Sequence, residues 1–298
     1  METARIVSAP TADEVAKATY YYEYWGGLGD IFNHIYWLSC YKNLSLMQPG
    51  QTAFVAISSH NPHAKELWLW HPKRKQISLY NFGFHCGFND KKVKESLKMR
   101  TTGCNHPSIP KREVEIYPSP ADTETLAFAG KLPPYIVFAT GSAEQCKFVP
   151  APIVVDAARR TLAAGFPIVM IGKNYQHYSF HNTQPSSRQE PRLWKDERIF
   201  DLIDKLTVPG VLKVIQNAAG VFTAHSAGCM AAYHMKKATF LLYNDHARRT
   251  YLPKGPNDKF GGYLHGAGNP GCDNACFDDE YSGERMERWL SGVKGLLK

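Results

Sequence analysis

The sequence has no apolar run near the roughly 20 residues that a membrane-spanning helix needs, so a helical membrane protein is excluded and a soluble one expected. It has no C-x-x-C pair among its seven cysteines, at 40, 86, 104, 146, 229, 272 and 276, which removes the thioredoxin motif and the ribbon-type zinc site. Their odd number and scatter favour reduced thiols and a cytoplasmic location. The N-terminus "METARIVSAPTADEVAKATYYY" lacks an apolar segment followed by a small-residue cleavage site, so no secretory signal is expected. Internal repeats and low-complexity tracts are missing too, which excludes solenoids and linker-like chains.

What is present is an ordinary globular composition: 298 residues, 44% hydrophobic and 21% charged, long enough for one large α/β domain or two of about 150 residues. The net charge of +8 divides as +3 over residues 1–132 and +5 over the rest. So even a spread argues against a dedicated nucleic-acid-binding surface. Local basic clusters do occur in the first half, "HPKRK" (71–75), "KKVKESLKMR" (91–100) and "KR" (111–112), where a solvated face competes with a site for a phosphate-bearing acceptor.

Strand-like and helix-like segments alternate. "ATYYYEYW" runs into the glycine turn "GGLGD" (26–30) and then a helical pattern; "QTAFVAIS" and "KQISLYNF" read as strands around the short helix "PHAKELWLW". Residues 86–120 are irregular, with one helix expected near 90–100, and 117–134 carry four prolines as a connector would. The alternation restarts with the strand "YIVFATG", whose end is Gly141, then a helix over 150–165, the strand "FPIVMIGK", a helical stretch over 201–220, the strand "VFTA", the helix "SAGCMAAYHMKK" and the strand "ATFLLYND". Residues 251–277 read as loop and 278–298 as an amphipathic helix. Strands alternating with helices predict parallel sheets.

"A-H-S-A-G" (224–228) between a strand and a helix admits two chemistries. As a nucleophile elbow, Ser226 would act with Asp245 and His265 downstream; no HGGG-like oxyanion loop precedes it, and too few strands follow. As a binding turn, the free N–H groups at the helix start would hold a pyrophosphate, with Ser226, Ala227 and Gly228 small enough to let it approach. His85, Cys86, Cys104 and His106, or Cys272 with Cys276, are the candidate zinc ligands, but none has the paired short spacing of a structural site and no metal is expected.

Together "GLGDIFNHIYW", "YIVFATGSAEQCKFVP", "FPIVMIG", "LTVPGVLKVIQNAAG" and "VFTAHSAGCMAAYHMKKATFLLY" resemble, in order and spacing, the GT-B glycosyltransferases, most closely the heptosyltransferase-like group, glycosyltransferase family 9-like. The likeness extends over most of residues 130–278, but in the first half only over the Gly-Asp turn and the layout. It implies an α/β fold of two Rossmann-like domains whose parallel sheets face across a cleft. Residues 1–130 would form the acceptor-side domain, 131–277 the nucleotide-sugar domain, and 278–298 a helix packing back on the N-terminal domain.

The resemblance implies an enzyme that moves a sugar from a nucleotide-diphosphate donor to an acceptor hydroxyl with no cofactor or metal. Asp30 matches the candidate base; Lys147, Ser226, Ala227 and Gly228 match the donor-phosphate site, with Gly141, His225 and Lys173 beside them. Gly27, Gly29, Trp25 and His34 fall on the acceptor side. Three positions depart from the family: His225 stands where Asp is usual before the serine, Met230 where a His is common, and no Glu follows "IG", leaving Lys173, Asn174 or Tyr175 as nucleotide contacts. The expected acceptor is a phosphorylated glycan. Open alternatives are DNA carrying a hydroxymethylated base, as for phage-type DNA glycosyltransferases, a catalytically silent nucleotide-binding protein, and the α/β serine hydrolase.

Overall fold

The computed structural model describes residues 4–7, 11–25, 27–29, 31–32, 44–58, 63–81, 115–142, 147–172, 193–245 and 271–298. They group into two compact units, one of residues 1–121 with 207–210, the other of 122–206 with 211–298.

In the first unit, strands β1 (Arg5–Ile6), β2 (Tyr20–Trp25), β3 (Ala53–Ser58) and β4 (Ile77–Asn81) form a parallel sheet in the order β1-β4-β3-β2. The aromatic run of β2 suits the half-buried pleat: Tyr21 lies opposite Phe54 in register and stacks on it at 6.0 Å. Helix α1 (Ala12–Lys17), absent from the sequence expectation, is opened by a capping box in which Thr11 and Glu14 satisfy each other's backbone N–H. Helix α2 (Glu66–Leu69) buries Leu67 and Trp68. At the carboxyl end of β2 the expected glycine turn leads into a helical turn, closed by the bond from Ile31 N–H to Gly27 O at 3.1 Å.

Helix α3 (Thr123–Ala129) opens the second unit. Six parallel strands follow: β5 (Ile136–Ala139), β6 (Ile168–Met170), β7 (Ile199–Asp201), β8 (Gly220–Ala224), β9 (Ala238–Tyr243) and β10 (Asp273–Cys276), ordered β10-β9-β8-β5-β6-β7. Counted from β5 this is the 3-2-1-4-5-6 order of a doubly wound nucleotide-binding sheet. Helices α4 (Ala151–Ala163), α5 (Val208–Asn217), α6 (Ala227–His234) and α7 (Gly283–Leu296) cover it. One face, with Ile136, Phe138, Phe222, Phe240 and Leu242, packs on α4 and α7. On the other, Cys229 of α6 meets Leu241, Tyr243 and Cys276, and Tyr135 donates from its hydroxyl to Val214 O of α5.

Three expectations differ from this structure. The helical stretch expected over 201–220 begins only at Val208, with Asp201 ending the edge strand β7, and 273–276, expected to be loop, form β10, although Asp and Asn favour turns. Arg285 offsets that preference by gripping Asp273 with two nitrogens and Asn274 O with one of them. The terminal helix, expected on the first unit, instead buries Met286, Trp289, Leu290 and Val293 in the second, where each large apolar side chain contributes about 1.5–3 kcal/mol.

Candidate functional site

The second sheet fixes where a ligand fits before any side chain is considered. Strands β5 and β8 are neighbours, in register from Ile136 opposite Gly220 to Ala139 opposite Thr223. The chain leaves β5 toward α4 on one face and leaves β8 toward α6 on the other. Their carboxyl ends thus bound a crevice at the topological switch point, the ligand position of open α/β sheets. Thr140, Gly141 and Ser142 follow β5 there, and His225 and Ser226 follow β8. Thr223 Oγ1 ties the two ends together, 3.2 Å from Ala139 O and 2.9 Å from Ala224 O.

Helix α6 aims its N-terminus at this crevice. Ser226 is the N-cap, in extended backbone (φ −147°, ψ −172°), and its hydroxyl caps no helical N–H. Its carbonyl accepts from Cys229 N–H at 3.1 Å and Met230 N–H at 3.4 Å. The N–H groups of Ala227 and Gly228 carry no hydrogen bond among the described residues. Two such donors, on partly buried residues at the positive end of a helix dipole, form an anion site. Gly228 is required by space: a Cβ there would lie 2.9 Å from the Ala139 Cβ and 3.2 Å from Thr223 Oγ1. The missing side chain lets α6 approach β5.

Lys147 and Cys229 connect the other side of the crevice. Burial pushes the Cys229 thiol up to about 12, while a backbone hydrogen bond at Ser226 and the positive charge of Lys147 pull it down. Lys147 is half-buried in a short turn before α4, and burial, which outweighs its charge, leaves Cys229 a neutral thiol rather than a nucleophile. His225 is 6% exposed, between the end of β8 and the N-cap.

Thus Gly141, Lys147, His225, Ser226, Ala227 and Gly228 converge on one edge of the second sheet. Gly27 and Gly29 occupy the turn after β2 in the first unit, where only the backbone of Trp25 is described. Asp30, His34 and Lys173 lie outside the described residues, as do His85, Cys86, Cys104, His106 and His265. Cys272 and Cys276 flank and end β10, about 13 Å apart at the rise of a strand, too far to share one ion. Among the described residues, no group of three or more His, Cys, Asp or Glu could hold a metal. The "HPKRK" cluster precedes β4 at the amino edge of the first sheet, opposite the edge that carries the Gly27 turn. It therefore does not line that turn.

A serine nucleophile at 226 has little geometric support. An elbow serine sits on a strained turn, whereas among the described residues only Asp204 and Lys236 are non-glycines with positive φ. A Ser–His contact without any signature in the sequence joins Ser45 Oγ and His71 Nε2, 3.2 Å apart in the first unit. There Lys73 N–H donates to His71 Nδ1 at 3.1 Å, so Nε2 carries the ring proton and donates to the serine; this histidine cannot act as its base.

No protein-family model matches the chain, and neither does any curated protein. Among solved structures it is similar to the E. coli ADP-heptose lps heptosyltransferase II, at 12% identity and a TM-score of 0.58 over 94% of this chain and 100% of that one. The glycosyl transferase family 9 protein from Veillonella parvula DSM 2008 follows at 11% and 0.54, over 93% and 96%. The E. coli heptosyltransferase WaaC with ADP is similar at 9% and 0.51, over 92% and 97%. These likenesses establish the fold: α/β with two sheets of parallel strands, of the heptosyltransferase-like GT-B kind. Among the described residues no helix is long and apolar enough to cross a membrane.

Proposed function

We propose that the protein is a GT-B glycosyltransferase that takes a nucleotide-diphosphate sugar at the switch point of its second unit and passes the sugar to an acceptor hydroxyl. The observation that carries this is the meeting of unfilled Ala227 and Gly228 N–H donors with the Ser226 hydroxyl at the carboxyl ends of β5 and β8, with Lys147 in the connection from β5 to α4. The heptosyltransferase neighbours, one of them bearing ADP, support the same assignment. Residues 131–277 would serve the donor and 1–130 the acceptor, with Trp25, Gly27, Gly29 and His34 on the acceptor side.

In this reaction the acceptor oxygen attacks the anomeric carbon and Asp30 takes its proton. The bond from that carbon to the diphosphate oxygen breaks, and the electron pair stays on the diphosphate. Lys147, the α6 N-terminus and the Ser226 hydroxyl stabilise the charge that develops there, so a divalent ion is not needed. Gly141 leaves room beside the phosphates, and His225 and Lys173 supply further donors. A phosphorylated glycan is the favoured acceptor, with DNA the alternative that the salt-dependence test below separates. A reducing, cytoplasmic setting suits the cysteines at 229, 272 and 276, which form no disulfide among the described residues.

Thermal shift across a panel of nucleotide-sugars tests the donor class: one member should stabilise the protein, and transfer from it should survive EDTA and collapse in Asp30→Ala. Stabilisation by none, with Ser226 labelled by a fluorophosphonate, would overturn the proposal in favour of a hydrolase. Binding without turnover would indicate a silent nucleotide-binding protein. Salt-sensitive retention on hydroxymethylated DNA would move the acceptor to nucleic acid.

A further inference from the structure

Two turns precede β3 and β4, and because these strands are parallel neighbours, with Ala53 opposite Ile77, both turns lie at the amino edge of the first sheet. The first, residues 44–52, is anchored by the buried Leu44 and Met47, whereas Leu46 between them is 65% exposed. Gln51 N–H donates to Gln48 O at 3.1 Å and Gln48 N–H to Gln51 Oε1 at 2.8 Å, closing the chain around Gly50 at φ 83°, a conformation that glycine adopts without steric cost. The second turn, residues 71–76, carries "HPKRK" and is pinned to the first. Gln76 Nε2 donates to Gln48 O and to Gln51 O, each at 2.8 Å, and the buried His71 bonds to Ser45 Oγ.

These bonds hold an apolar tip beside a basic cluster. Leu46, Pro49 and Pro72 are exposed on the two turns, as is Lys75, with Lys73 and Arg74 half-buried. Thr52 N–H donates to Thr19 Oγ1 at 3.2 Å, which brings the end of α1, with the exposed Lys17, to the same edge. One carboxylate, Glu115, adjoins the surface: the Tyr117 hydroxyl donates to it at 3.1 Å and lies 3.4 Å from Ser45 Oγ. Four cations against it leave the surface positive.

Scattered exposed leucines are ordinary, but one held at the tip of a hydrogen-bonded turn beside four cations has both parts of a peripheral lipid contact. The apolar side chain suits the boundary of the acyl chains, and the cations suit anionic headgroups. A second copy in symmetric contact would set the same cations against each other. A nucleic acid would match the charge but leave the leucine and the prolines without an apolar partner.

We propose that the amino edge of the first sheet docks on an anionic lipid surface, with Leu46 entering the headgroup boundary and Lys17, Lys73, Arg74 and Lys75 meeting the lipid phosphates. Docked in this way, the sheet keeps its opposite edge, with the Gly27 turn, clear of the lipid. The inference does not depend on the glycosyltransferase assignment.

Co-sedimentation of the full chain with phosphatidylcholine vesicles, with and without phosphatidylglycerol, tests it. Wild type should bind the anionic vesicles alone and lose most of that binding as salt rises from about 0.1 M to about 1 M, which shortens the screening length from about 10 Å to about 3 Å. Lys73→Ser with Lys75→Ser should weaken binding about thirtyfold, at roughly fivefold per cation. Leu46→Ser should weaken it about tenfold, with thermal unfolding unchanged in both variants because these side chains lie at the surface. The same charge change at two exposed lysines of the second unit, Lys131→Ser with Lys195→Ser, should leave binding at the wild-type value. An equal loss in that control would reduce the effect to net charge and overturn the docking surface. Failure of the wild type to bind anionic vesicles overturns it too; retention on DNA that the Lys73/Lys75 variant then loses would assign the surface to a nucleic acid instead.

Discussion

At the amino edge of the second sheet the protein completes its own helix ends, while at the carboxyl edge it leaves them open. Along the amino edge Arg198 donates to Leu162 O in the last turn of α4, at 3.2 Å. Tyr135 donates to Val214 O of α5, Lys237 Nζ to Ala218 O at 3.0 Å, and Trp289 Nε1 to Gly271 O at 2.8 Å. Burial lowers the pKa of Lys237 and raises that of Tyr135 to about 12, the cost of placing polar groups inside this seal. Along the carboxyl edge Gly141, Gly172, Ser226, Ala227 and Gly228 are small, and the first N–H groups of α6 point outward unfilled. Buried helix ends require partners; ends without them are reserved for a ligand or for water. The contrast separates residues that hold the fold from residues that hold the donor, and each substitution below should affect one edge and spare the other.

The largest effect is expected at the sealed edge. Trp289 packs edge-on against Phe240 at 5.6 Å and, with its hydrogen bond, fastens α7 to the sheet. Trp289→Ala should cost about 3–5 kcal/mol in denaturant unfolding, while nucleotide affinity of the folded fraction stays at the wild-type value. An equal loss of affinity would show that the two edges are coupled.

Gly228→Ala follows. Its new methyl would press on the backbone-fixed Cβ of Ala139, costing about 1–3 kcal/mol and displacing the α6 N-terminus, so here stability and nucleotide affinity should fall together. Gly292 supplies the control, because its Cβ would meet nothing within 4 Å inside α7. Gly292→Ala should gain about 0.5–1 kcal/mol and leave binding unchanged.

Lys147→Ala should lower nucleotide affinity about tenfold, with unfolding free energy within about 0.5 kcal/mol of wild type, as measured by titration and denaturation in parallel. A stability loss without an affinity loss would assign the lysine to the fold.

The smallest effect is electrostatic. Partial burial works to raise the Asp156 pKa, but hydrogen bonds from Arg160 and from Tyr281, the latter at 2.7 Å, together with the charges of Arg160 and Arg159, hold the carboxyl below its usual range. A depressed folded pKa gives stability that is fully present above the unfolded value of about 3.9 and lost as pH falls through the folded one. The stability difference between wild type and Asp156→Asn should therefore shrink on acidification below about pH 4. More than a third of the Asp156 side chain is exposed, so solvent screening keeps the difference well under about 1 kcal/mol.

Much of the open edge was legible in the sequence because it is built from local signals. An apolar run, small residues and a helix start are contiguous in "VFTAHSAGCMAA", and the strand, turn and helix follow from them; that Gly228 lets α6 approach Ala139 does not, because Ala139 is far away in sequence. The heptosyltransferase-like layout was legible through motif order, and the structure bears out the fold. The sealed edge was not, because it depends on partners far apart in sequence, as Trp289 and Gly271 or Arg198 and Leu162 are. Strand β10 escaped because "DNAC" acquires strand character only by pairing with β9, and β7 because it is an edge strand that pairs only with β6. The likeness to a nucleophile elbow was a local signal too; Ser226 departs from it in its unstrained backbone, which composition does not encode.

Amide hydrogen exchange with and without the stabilising nucleotide addresses both edges in one measurement. Protection gained at residues 225–229 and around Lys147, with exchange at 218, 237 and 271 unchanged, is the predicted result. Protection confined to other segments, or none at the first turn of α6, would contradict a donor site at the β5/β8 switch point.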